Sequence, residues 1–116
     1  MDSVAKITRY RALIRQIIEQ HAPYPNPRVP EEFDTQLLLD DTQGHYYLMH
    51  IGWDGYRRIH ACLIHLDLKG EKIWLQRDGT EYGVANELVD LGVPREDIVL
   101  GFQAPYKRPY TDFATA

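Results

Sequence analysis

The chain has 116 residues, 44% hydrophobic and 26% charged, with a net charge of −4, enough for one hydrophobic core and ordinary for a globular domain. An acidic balance excludes indiscriminate DNA binding, which draws its affinity from Lys and Arg meeting phosphates. No apolar run approaches the roughly 20 residues of a membrane helix, and the N-terminal stretch lacks a signal-peptide core. The lone Cys62 has no cysteine to pair with or to share a zinc thiolate cluster, so a single cytoplasmic domain over 1–116, with Cys62 as a buried small hydrophobe, is expected.

Residues 3–21 predict an amphipathic helix. Val4, Ile7, Tyr10, Ile14, Ile17, Ile18 and His21 recur at the spacing that lines one face, and Asp2 or Ser3 can cap its start. Lys6, Arg9, Arg11 and Arg15 make this segment basic, whereas Glu31, Glu32, Asp34, Asp40 and Asp41 make residues 31–41 acidic; opposite surfaces of this kind suit a protein partner as well as a nucleic acid. Between them "APYPNPRVP" holds four prolines in nine residues, which forbids helix and predicts an extended linker over 22–32 ordered by packing.

Segments 33–41, 45–53, 56–68 and 71–77 are rich in Leu, Ile, Tyr and Trp and are separated by Gly- and Asp-bearing turns, which predicts an antiparallel meander. Asp54-Gly55 is the strongest turn signal, and taking both as loop residues of a type I′ hairpin assigns the faces. Tyr47, Met49, Ile51 and Trp53 then share an apolar side with Cys62, Ile64, Leu66, Ile73 and Leu75, and Asp67 lies opposite Lys72. Tyr46, Leu48, His50, Ile59, Ala61, Leu63, His65 and Trp74 fall on a mixed side that something is expected to cover. Residues 80–91 predict a second helix, started by Asp78 or Thr80 and closed by Gly92, Val93 and Pro94. "IVLGF", 98–102, predicts a last short strand. The expected fold is α+β: an antiparallel four-stranded β-meander plus one short C-terminal strand, packed on one face by an N-terminal helix and a second helix.

Chemistry is sparse. His60 and His65 point to opposite faces of one strand, and His50 and His65 are separated on the order of 20 Å along it, so no metal site and no cofactor are expected. Asp67 with Lys69 and Asp41 resembles the acidic half of a Mg²⁺-dependent nuclease, yet an ion pair with Lys72 accounts for Asp67 equally well. No Gly-rich phosphate loop and no activated nucleophile is present, so no catalytic residue is assigned.

The C-terminal "GFQAPYKRPY" combines Tyr106, Lys107, Arg108 and Tyr110 with two prolines that preset an extended chain. One Lys-Arg pair neutralises at most about two phosphates, whereas aromatic and Arg side chains are the currency of protein interfaces. The same tyrosines would equally pin the tail to the body. Trp74, His50 and His65 on the mixed sheet side complete the residues assigned to partner contact.

"GWDGYRR", "KIW", "DGTE", "GVP" and "DIVLGF", within a similarity running from "ITRYRALIRQIIEQHA" to "APYKRPYTDFA", resemble the XisI family, named for the fdxN element excision controlling factor of cyanobacteria. The resemblance implies a non-catalytic accessory protein that works with a XisH-type partner so that a separate recombinase can excise a DNA element during heterocyst development. It supplies no catalytic residues. Homo-oligomerisation and direct contact with DNA stay open, and a DNA-binding accessory would draw on Arg9, Arg11, Arg15 and Lys107.

Overall fold

The computed structural model describes residues 3–22 and 34–116; the proline-rich linker, the Glu31-Glu32 pair and the capping role of Asp2 lie outside them. Helix α1 spans Ser3–His21, strands β1 to β4 span Asp34–Asp40, His45–Asp54, Arg57–Lys69 and Lys72–Asp78, helix α2 spans Val84–Asp90, and strand β5 spans Ile98–Leu100. The strands form one sheet in chain order. The first four pair antiparallel and β5 runs parallel to β4, as expected of a fifth strand reached through a helical crossover. Among the described residues no helix is long and apolar enough to cross a membrane.

Helix α1 lies on one sheet face with Tyr10, Ile14, Ile17 and Ile18 buried, against Tyr46, Leu48, Ile64, Leu66, Ile73 and Leu75, and α2 adds Val84, Ala85 and Leu88. Each fully buried Ile or Leu stabilises the fold by on the order of 2 kcal/mol. The helical stripe begins later than its periodicity predicts, because Val4 is 72% exposed. Polar links also fasten α1. Tyr10 Oη donates to Asp97, which also meets Lys6 Nζ at 2.9 Å, and His21 Nε2 lies 2.8 Å from Glu87 of α2.

Both hairpins turn one residue later than predicted. Asp54 pairs with Arg57, leaving Gly55-Tyr56 as the loop, and Gly55 alone takes a positive φ of 60°. A type I′ turn needs positive φ at both loop residues, whereas a turn with glycine first needs it only there. Trp53 therefore lies opposite Arg58. Likewise Lys69 pairs with Lys72, and Asp67 lies opposite Trp74 rather than Lys72. The predicted Asp67–Lys72 ion pair is not formed.

A second correction concerns the faces. The β2–β3 register slips between Leu48 and Met49, where Cys62 pairs with Met49 but Ile64 with Leu48, so Leu63 is an extra residue. An inserted residue inverts the alternation of everything beyond it. Tyr46 and Leu48, predicted on the mixed side, are fully buried in the core, and Tyr47 moves to the outer side beside His65, stacked at 4.0 Å. Cys62, expected to be buried, is only half-buried; its thiol donates to Ile64 O at 3.3 Å, and burial raises its pKa.

Helix α2 is shorter than predicted because Asp78 acts from a distance. Its carboxylate accepts from the Thr80 N–H, the Thr80 hydroxyl and the Val84 N–H, so residues 79–83 form a turn around it and the first helical amide is capped by a residue six positions earlier. The C-terminus closes as expected, with the Gly92 and Val93 N–H groups on the Val89 and Leu88 carbonyls.

Candidate functional site

The outer sheet face carries two polar features. The first is centred on Asp67, a 5%-exposed carboxylate on β3. His65, two residues earlier on the same strand, reaches Asp67 Oδ1 with Nε2 at 2.8 Å. His45, directly across on β2, reaches the same oxygen with Nδ1 at 2.7 Å. The Gln76 amide of β4 donates to Oδ2 at 3.1 Å. Burial alone would raise the pKa of Asp67, but the hydrogen bonds from His45, His65 and Gln76 outweigh it and hold the carboxyl below its ordinary range.

Local backbone geometry sets this cluster. Leu68 N–H donates to Gly44 O at 2.9 Å, drawing the β1–β2 turn onto the end of β3, and a Cβ at Gly44 would meet Leu68 O at 2.6 Å with φ at +74°. His45 follows immediately. The extra residue Leu63 then determines that His45 faces Asp67 instead of Leu66.

Sequence reasoning missed the convergence. It weighed His60 and His50 against His65, whereas alternation along β2 puts His50 on the side of Tyr46 and Leu48, away from His65. The legible signal was His65-x-Asp67, which places both side chains on one face; the contribution of His45 needed the bulge. Among the described residues, His45, His65 and Asp67 are the group whose ligand atoms, all within 4.8 Å of one another, could hold a metal ion.

Asp41 is not part of it. It faces α1, where Arg15 Nη1 lies 3.2 Å away, Arg11 Nε 3.8 Å away, and Tyr46 Oη donates at 2.8 Å; burial, then the bond to Asp41, pushes Tyr46 up to about 12. Lys69 sits 4.5 Å over the Trp74 ring. The residues of the nuclease reading are therefore on opposite sheet faces. The basic helix is similarly engaged, since Arg9 donates to Leu91 O at 3.1 Å while Arg11 and Arg15 serve Asp41. A concavity of about 1100 Å³ opens along α1 between Arg15, Glu19 and His21, on the helix side of the sheet, where Arg15 and His21 are both paired.

The second feature is the C-terminal segment, folded back over the Trp74 end of the outer face. Ala114 bridges Val99 of β5, which is fully buried. Arg108 holds the segment: its guanidinium lies 5.1 Å from the Trp74 ring centre and donates to the carbonyls of Gln103, Thr115 and Gly101. The tyrosines do not pin the tail. Tyr106 is 73% and Tyr110 89% exposed, with Lys107 Nζ 6.0 Å from the Tyr106 ring. A further exposed cluster, which the sequence reading left unassigned, stands at the β2–β3 tip, where Arg58 lies 5.3 Å over Trp53 and Tyr56 is fully exposed.

Comparisons with known proteins agree with this architecture. A crystal structure of a XisI-like protein from Anabaena variabilis superposes with a TM-score of 0.88 at 45% identity, covering 95% of this chain and 99% of that one. The fdxN element excision controlling factor XisI of the same organism superposes with a TM-score of 0.84 at 34% identity, covering 96% and 99%. No curated protein matches the chain. The model of the XisI protein family matches residues 1–115, and with that match and these relatives the chain belongs to the XisI family.

Proposed function

We propose that this chain is a non-catalytic accessory protein, an excision controlling factor that acts with a XisH-type partner in recombinase-dependent excision of a DNA element during heterocyst development, through protein contacts. Family membership and the 34%-identical XisI structure support the role. The observation that carries the contact mode is the C-terminal ridge. Tyr106 and Tyr110 stand in water on a segment that Arg108 clamps to the sheet. Aromatic rings presented at fixed geometry lose little entropy on binding and serve as interface anchors. Trp74 and Arg108 support the ridge from beneath; Tyr106, Lys107 and Tyr110 make the contact.

Affinity capture of a XisH-type protein by the full chain, with mass determination, tests this. The wild type should retain the partner, and replacing Tyr106 and Tyr110 together with Ala should weaken retention by about 30-fold, the loss of about 2 kcal/mol typical of an anchor. Retention undiminished in the double variant removes the ridge from the interface. A chain that never associates, or that cuts DNA with Mg²⁺, overturns the accessory role. The same mass measurement reports self-association.

A further inference from the structure

We propose that His45, His65 and Asp67 form a binding site for a divalent transition-metal ion of the zinc type. Two imidazole nitrogens and a carboxylate oxygen are donors that suit zinc, whereas Mg²⁺ and Ca²⁺ require shells of oxygen. The distances fit. Bonds of about 2.0–2.1 Å place tetrahedral ligands roughly 3.4 Å apart, and His45 Nδ1 and His65 Nε2 stand 2.7 and 2.8 Å from Asp67 Oδ1. Side-chain rotations that lengthen the two His–Asp separations by under about 1 Å, with the two imidazole nitrogens already within 4.8 Å of each other, admit the ion, and the two hydrogen bonds to Asp67 Oδ1 give way to three metal bonds.

The surroundings resemble the outer shell of a metal centre. Gln76 holds the second oxygen of Asp67 and the Tyr47 ring stacks on His65, so two of the three ligands are oriented by other groups. Desolvation of a single carboxylate is costly, and a cation bonded directly to it offsets that cost more fully than hydrogen bonds from two imidazoles. The His45 side chain is 46% exposed, which gives the ion an entry path and leaves its fourth position to water or to a ligand donated by a bound protein. The site joins the first residue of β2 to β3 and lies on the outer face that the C-terminal segment partly covers.

The test uses the full, untagged chain stripped with a chelator and titrated with Zn²⁺ alone against a chromophoric competitor. One equivalent should bind with a dissociation constant of about micromolar or tighter, unaffected by excess Mg²⁺, and Co²⁺ should give the intense visible absorption of tetrahedral coordination. His45→Ala, at the half-exposed ligand, leaves Asp67 bonded to His65 and Gln76 and should keep the fold by circular dichroism. It should weaken Zn²⁺ binding by more than the roughly 10- to 100-fold that loss of an outer-shell partner costs; His65→Ala should do the same. No saturable Zn²⁺ binding overturns the proposal and makes the cluster a hydrogen-bonded triad only. Binding unchanged in both folded variants overturns it equally, by placing the ion elsewhere.

Discussion

The Arg108 guanidinium lies over Trp74, 5.1 Å from the ring centre, while three carbonyls of its own segment accept its N–H groups. The residue that reads in the sequence as an outward anchor thus faces inward. Arg108→Ala should cost about 1–2 kcal/mol, from one cation–π contact and partly exposed hydrogen bonds. The loss should be local. Amide exchange in residues 101–116 should rise sharply while β2 to β4 stay protected, and equal deprotection throughout would contradict the clamp.

The link from Tyr10 to Asp97 joins α1 to the short turn before β5. Burial raises the Asp97 pKa, but the bonds from Tyr10 and Lys6 prevail and lower it; burial and the same bond raise that of Tyr10. Tyr10→Phe leaves Asp97 with Lys6 and should cost about 1–2 kcal/mol in urea unfolding. Asp97→Asn removes the charge from both donors and should cost more, about 2–3 kcal/mol. A reversed order would mean that Lys6 contributes nothing.

Acid stability follows from Asp67. Its carboxyl titrates below its ordinary 3.8 in the folded chain and returns to that value on unfolding, so the unfolded state binds more protons in moderate acid. The stabilisation is complete above about pH 4 and is lost as pH falls through the lower folded value. Asp97 acts with the same sign. The urea midpoint should fall steeply below about pH 4, and Asp67→Asn should flatten that limb while lowering stability at neutral pH by about 1–3 kcal/mol. Parallel acid limbs in both proteins would sink the assignment.

Gly44 allows the β1–β2 turn to touch β3. Alanine there would be strained at φ +74° and would press on the Leu68 carbonyl, so Gly44→Ala should destabilise by about 1–3 kcal/mol in denaturant unfolding. Gly55→Ala provides the control, because a Cβ there meets nothing within 4 Å and only the backbone cost of about 1 kcal/mol remains. Equal losses would show that the close approach to Leu68 is unimportant.

Local pattern determined much of this protein by itself. The three-four spacing of Tyr10, Ile14, Ile17 and Ile18, the alternation within each strand, and the Gly92-Val93 stop are short-range signals, and the elements they specify appear in the expected order, with the hairpin turns one residue later and the second helix starting only at Val84. The tertiary structure decided register and faces. Leu63 is an ordinary strand residue in the sequence, yet as the inserted residue it buries Tyr46, turns Tyr47 to the outer face and brings His45 opposite Asp67. Whether a strand absorbs an extra residue depends on how its side chains pack against α1 and against both neighbouring strands at once, a balance that no window of the chain contains. The inward turn of Arg108 has the same origin, since Trp74 becomes its neighbour only when the fifth strand and the tail have folded back.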